Sequence, residues 1–297
     1  MLSCTVCASK MCRLANRLLK MCLCTITKSE GWTMFKREWQ RNAKSLVIWS
    51  VVIGGLVLLT LSIFPQFAEQ QKEVTKLLQS LPSAMIKAFG MDQLSIGDLT
   101  GYYGVRVYTM TTLLGSVYAA MLAANIVAKE ENDKTIEFLL AKTVTRSEIL
   151  TKKWLVVAVN ILILNAVSLL VSFIGFQMAK EYDVSLKAVY LLTLATVLLH
   201  FTFAAVAFLL STIMRKTRNA SSLALGLVFV TYFMNMMSSI SDDLSFLKYV
   251  SPFKYVDAVP IINELQMDGL YTVLMIVIIS VSIIVAYVIY QKKDIVT

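Results

Sequence analysis

The sequence predicts an all-α integral membrane protein. Six transmembrane helices are expected, with both termini cytoplasmic, a short cytoplasmic helix between the second and third spans, and amphipathic helices in the first external loop. Three observations carry this. The 297 residues are 57% hydrophobic and 16% charged, against roughly 45–50% and about 25% in soluble domains. The apolar residues cluster in blocks of about 20, the length a helix needs to cross about 30 Å of hydrocarbon. Lys and Arg alternate from side to side of those blocks, as they do when basic residues stay in the cytoplasm. Because a chain in lipid must satisfy its backbone internally, the blocks should be helices.

Residues 1–33 are expected to be an unstructured extension, or to precede a native start at Met34. All five cysteines lie here, at Cys4, Cys7, Cys12, Cys22 and Cys24, so no disulfide framework holds the rest of the chain. The Cys4/Cys7 spacing has no second pair and no nearby His, and no metal site is expected. Lys10, Arg13, Arg17 and Lys20 interrupt the segment, which makes it a poor signal peptide. "MFKREWQRNAKS" from Met34 is a basic cap in front of the first apolar block. Residues 34–297 are expected to form a single membrane domain.

The spans are placed at Ser45–Phe64, Val107–Ala128, Trp154–Ala179, Ala188–Ile213, Ala220–Ile240 and Leu270–Tyr290. Six crossings put Lys36, Arg37, Arg41 and Lys44 on the same side as Arg215, Lys216 and Arg218, Lys292 and Lys293, and the loop 130–153 with Lys134, Lys142, Arg146, Lys152 and Lys153. The opposite side holds 241–269, where Asp242, Asp243, Asp257, Glu264 and Asp268 outweigh Lys248 and Lys254. The basic side is therefore cytoplasmic. The net charge of +9 fits contact with anionic lipid at the inner leaflet, and no nucleic-acid partner is expected. In the long external segment, Val74, Leu77, Leu78 and Leu81, then Met85, Ile86 and Phe89, have helical spacing around Pro82. This predicts amphipathic helices on the outer interface, acting as a connector. "GYYG" at Gly101–Gly104 is expected to place its tyrosines at the interface where the chain re-enters the membrane.

No Asp, Glu, Lys or Arg falls within the cores of these spans, which argues against an ion-driven carrier. The sole histidine, His200, is expected to be a neutral hydrogen-bonding residue inside the bundle. No GxSxG, HExxH or GxxxxGK[ST] is present, so neither hydrolysis nor ATP binding is expected of this chain, and no catalytic or cofactor-binding residue is assigned. In the second span Gly115, Ala119 and Ala123, and beside them Ser116, Ala120 and Ala124, repeat every fourth residue, a spacing that lets helix backbones approach closely in lipid. In the third span Asn165, Ser168 and Ser172 share a face with Gly175. With His200 they form a candidate polar strip. It serves either helix packing or the lining of a transport path, and its mild polarity favours packing.

The loop after the second span holds two helix-start signals. Asn132 and Asp133 can cap a helix beginning near Lys134, with Ile136, Leu139 and Leu140 on one face. Thr145-Arg146-Ser147-Glu148 has the capping-box pattern. A helix lying on the membrane surface and a docking element for a cytosolic protein fit this amphipathicity equally.

The residues Glu131, Thr135, Ile136, Glu137, Leu139, Leu140, Val144, Thr145, Arg146 and Ile149 form a pattern that resembles the cytoplasmic loop of ABC type-2 membrane permeases, the membrane subunits of many bacterial exporters. "FKREWQRNAKSLVIWS", "GYYG" and "SPFKYVD" are similar to other stretches of that family, and the resemblance runs from Met34 to Thr297. Lys134 and Thr143 depart from the Gly and Pro common at those positions. The resemblance implies a plasma-membrane exporter subunit that pairs with a second permease subunit, as a homo- or heterodimer, and with a separate P-loop ATPase. ATP and Mg would be bound on that partner. It also implies that Glu131, Thr135, Ile136, Glu137, Leu139, Leu140, Thr145 and Arg146 belong to the helix that couples the permease to the ATPase. The alternative is an ATP-independent membrane scaffold or immunity protein. Nothing in the spans identifies a substrate.

Overall fold

A computed structural model describes residues 3–70, 98–132, 145–179, 182–214, 217–240, 246–247 and 249–292, without the side chains of 3–34, 67 and 130–132. The described residues are helical throughout apart from short connections. Six helical stretches are long and apolar enough to cross a membrane: Phe35–Gln66, Leu99–Lys129, Arg146–Met178, Leu186–Ile213, Thr217–Ile240 and Gly269–Lys292. They match the six spans read from the sequence; all start earlier, the first three by two turns or more.

Helix α1 runs from Ser3 to Glu69. Its backbone enters the first span as one rod, so residues 3–33 are helical where the sequence reading expected no structure. The physical reason is local: before the span this stretch has no proline and a single glycine, Gly31. The predicted amphipathic helices of the external segment and the loop helix after the second span lie outside the described residues.

The second span is built of three pieces: α2 (Leu99–Tyr102), a π-helical turn (Tyr103–Tyr108) and α3 (Thr109–Asn132). It starts well before Val107, and this corrects the reading of "GYYG". Tyr102 and Tyr103 are buried in protein. The Tyr102 hydroxyl donates to the Thr60 carbonyl at 3.2 Å, and its ring meets Phe64 with centroids 5.0 Å apart. A phenol in a span needs a partner for its hydroxyl, and helix carbonyls and serines supply it.

The third span, α4 (Arg146–Met178), begins at the predicted capping box: the Thr145 hydroxyl accepts from the Glu148 amide at 3.3 Å. Next come α5 (Leu186–Ile213) and α6 (Thr217–Ile240). Two short helices, α7 (Pro252–Tyr255) and α8 (Ala258–Glu264), form the "SPFKYVD" corner. There the Asp257 carboxylate caps α8 and pairs with Lys254 at 2.5 Å. Helix α9 (Gly269–Lys292) ends the described chain.

Helix α5 is the centre of the bundle. It packs most extensively on α3 and α9, while α3 also packs on α6, and α1 lies along α4. The small residues predicted at four-residue spacing are buried: Ala119, Ala120, Ala123 and Ala124 let α3 approach its neighbours closely. Gly115 faces the His200 ring, and a Cβ there would fall 2.2 Å from Cε1. Outward faces of α1, α6 and α9 expose Val51, Phe233 and Val277, as lipid or a neighbouring helix requires.

Candidate functional site

Two groups of side chains stand out, one at mid-span and one at the helix ends beside the loop between the second and third spans. At mid-span the polar strip comes together in part. The Asn165 amide donates to the Ile161 carbonyl at 2.8 Å and lies 3.0 Å from His200 Nδ1. With the amide donating, Nδ1 accepts, and the neutral ring carries its proton on Nε2. Nε2 is buried without a hydrogen-bond partner among the described residues. Gly115 makes this placement possible, because any side chain at 115 would occupy the space of the ring. Ser172 accepts from the Tyr103 hydroxyl at 3.2 Å and donates to the Ser168 carbonyl at 2.9 Å. Ser168 is half-buried, and its carbonyl serves Ser172. Thus Asn165 and His200 join α4 to α5, and Ser172 joins α4 to the π-helical turn.

Of the residues that the loop resemblance singles out, Thr135, Ile136, Glu137, Leu139 and Leu140 lie outside the described residues. Glu131 sits on the last turn of α3, with its side chain outside the description. Thr145 caps α4. Arg146 is set beside the end of α9, its Nη1 donating to the Gln291 carbonyl at 3.4 Å. This is a favourable place for a cation, since the C-terminal end of a helix carries partial negative charge. Ser147 and Thr151 extend the same seam to Gln291 and to the Tyr287 hydroxyl, at 3.1 and 2.6 Å.

Sequence reasoning missed the residues just inside this seam. Lys153 is completely buried, and its ammonium donates to the Ile126 carbonyl of α3. It stands in a basic run one position before the predicted span, so it read as loop charge. Ser211 of α5 donates to the Ala124 carbonyl at 2.7 Å and accepts from the Ala128 amide at 3.0 Å. Ser221 of α6 donates to the Asn125 side chain at 2.6 Å. Glu38 is also buried, 3.5 Å from Arg41. No sequence signal distinguishes these from ordinary polar residues at span ends. At the opposite side, the Tyr108 hydroxyl donates to the Val256 carbonyl at 2.5 Å, tying the second span to the α7–α8 corner. In that corner, burial and then the neighbouring Tyr271 phenol push the Tyr255 hydroxyl above its ordinary pKa.

Among the described residues, no group of three or more His, Cys, Asp or Glu could hold a metal ion. The sequence model of the family described as "ABC-2 family transporter protein" matches residues 32–295. No curated protein matches the chain.

Proposed function

Because the chain belongs to the ABC-2 transporter family, and is thus a multi-pass membrane permease component of an ABC transporter, we propose that it works as an exporter in the plasma membrane, driven by ATP hydrolysis on a separate subunit. The observation that carries this reading is the family match over residues 32–295 in a chain without a P-loop motif. Six spans and the Lys/Arg distribution support cytoplasmic termini and a cytoplasmic loop between the second and third spans. That loop docks in a groove of the ATPase through Ile136, Leu139 and Leu140, which have the i, i+3, i+4 spacing of a helix that enters a groove. Glu131, Thr135, Glu137, Thr145 and Arg146 form its polar surround. Two permease subunits pair in the membrane. ATP binding on the partner then biases the pair between conformations of different access.

The test is purification from membranes in mild detergent. An ATPase subunit should co-purify with the permease in equal amount. The variant with Leu139→Ser and Leu140→Ser should reach the membrane normally and lose the ATPase, or lose substrate-stimulated hydrolysis while still holding it. Normal co-purification together with normal transport in that variant would refute the docking role of the loop. Absence of any ATPase from the wild-type preparation would refute the ATP-driven reading.

A further inference from the structure

The last turns of α3 are held in an unusual way. Within five successive residues, 124–128, three other helices bond to α3. Ser211 of α5 bridges the Ala124 carbonyl and the Ala128 amide, at 2.7 and 3.0 Å. These two groups are the acceptor and donor that close one turn of an α-helix, so the hydroxyl is set into the hydrogen-bond ladder itself. Lys153 of α4 donates to the Ile126 carbonyl. Ser221 of α6 donates to Asn125 Oδ1 at 2.6 Å. Lys153 and Ser211 are both fully buried.

Two features separate this collar from ordinary packing. Its principal bonds go to the backbone of α3. A side-chain partner can turn to another rotamer, but a backbone carbonyl moves only with its helix. The bonds therefore fix α3 along its axis as well as sideways. The position matters as well. The collar lies one turn before Asn132, where α3 ends, and Lys153 stands on α4, the helix that begins after the same loop.

We propose that residues 124–128 of α3 are the joint through which displacement of the Asn132 end enters the bundle, and that Lys153, Ser211 and Ser221 are the positioning residues that pass it to α4, α5 and α6. The inference rests on the ATPase-coupled reading above and adds to it the residues inside the membrane that carry the movement. Lys153 keeps α3 and α4 together, so a push on one flank of the loop moves both. Ser211 carries the displacement to α5, the central helix, and α5 passes it on to α9.

The experiment uses the full-length permease with its ATPase in lipid nanodiscs, the five native cysteines replaced by serine. One spin-label pair, Lys129→Cys with Lys292→Cys, reports the loop side. A second, Met178→Cys with Leu270→Cys, reports the far side. In the wild-type background, Mg-ATP should shift both distances. In the combined Ser211→Ala and Lys153→Met variant the ATPase should remain bound and the loop-side shift persist, while the far-side shift is lost. Ser211→Thr and Lys153→Arg should restore it. A merely structural role would lower the melting temperature without separating the two shifts. If the combined variant does not accumulate, Ser211→Ala alone decides, with the same expected separation. A far-side shift of wild-type size in these variants overturns the proposal. If ATP moves neither pair in the wild-type complex, the coupled reading itself falls, and the joint with it.

Discussion

Gly115→Ala is the sharpest test of how the bundle is packed. The added Cβ would lie 2.2 Å from His200 Cε1 and 2.3 Å from Nε2, far inside van der Waals contact. The ring is buried and held by Asn165 at 3.0 Å, so it can yield only by breaking that bond or by pushing α5 from α3. Overpacking of this kind costs about 1–3 kcal/mol. The lost interhelical hydrogen bond adds about 0.6 kcal/mol. Replacing Gly by Ala in a helix returns at most about 1 kcal/mol. The steric effect wins, and the net loss should be about 1–3 kcal/mol. Thermal unfolding in detergent measures it, with Gly226→Ala as the control, because nothing lies within 4 Å of a Cβ at 226. The decisive arm is a double-mutant cycle with His200→Ala. Removing the ring should make room for the methyl, so the double variant should be more stable than additivity allows by at least about 1 kcal/mol. Additive losses, or a Gly115→Ala protein that melts like Gly226→Ala, would refute the contact and the helix register it implies.

Other substitutions follow from the same geometry. Gly175→Ala should destabilise more than Gly115→Ala does. Its Cβ would meet Leu61 Cδ1 at 2.4 Å and the less movable Cβ at 3.0 Å, which melting curves of the two variants compare directly. His200→Gln should melt close to wild type, since a glutamine carbonyl can accept from Asn165 and the bond at stake averages about 0.6 kcal/mol. Loss of several times that value would show that the ring does more than accept one bond. Thr145→Ala removes the cap of α4 and should cost about 1 kcal/mol, with faster amide exchange confined to the first turn of the helix. Tyr108→Phe removes the bond to Val256 and should loosen the α7–α8 corner. Increased labelling of Ala258→Cys, at a buried position of that corner, by a membrane-impermeant maleimide would register it, and unchanged labelling would count against that tie.

The spans were legible because length and hydropathy are local properties that the bilayer imposes on each block separately. The small-residue faces of α3 were legible for the same reason: close helix approach needs Gly and Ala at fixed spacing, whatever the partner. Partners were not legible. Asn165 and His200 could be singled out as polar residues in apolar runs, but their meeting depends on where α5 crosses α4. Lys153 was hidden by its neighbours, since a lysine beside Lys152 in a charged segment reads as solvated. The tyrosines of "GYYG" misled for the opposite reason. Aromatics at a span end commonly sit at the lipid headgroups, and only the fold reveals that Thr60 and Ser172 receive these hydroxyls from within. Ser211 has no signature at all, because its role lies in the two backbone atoms it joins.

The polar residues of α4 bear on where a substrate can pass. Down that helix Ser172, Asn165, Asn160 and Lys153 meet, in turn, Tyr103, His200, Tyr118 and the Ile126 carbonyl. The hydrophobic effect does not hold helices together in lipid, so such bonds and close packing set their register. Each of these side chains already has a protein partner, His200 through Nδ1 alone. Breaking the pairs one after another to line a path would leave polar groups unmatched in a low-dielectric interior, at a cost per group of about 1–3 kcal/mol. The α3–α4–α5 core is therefore better suited to move as a unit than to open along its own seams. On the exporter reading proposed above, a path against an outward face of this subunit, such as the face of α6 that exposes Phe233, breaks none of these pairs. Single-cysteine scanning of α4 and α6 with a membrane-permeant maleimide separates the two arrangements. Substrate should protect positions on the outward face of α6, such as Gly226 and Phe233, and leave Asn165 and Ser172 unchanged. Protection confined to the α4 positions would show that the path runs through the core.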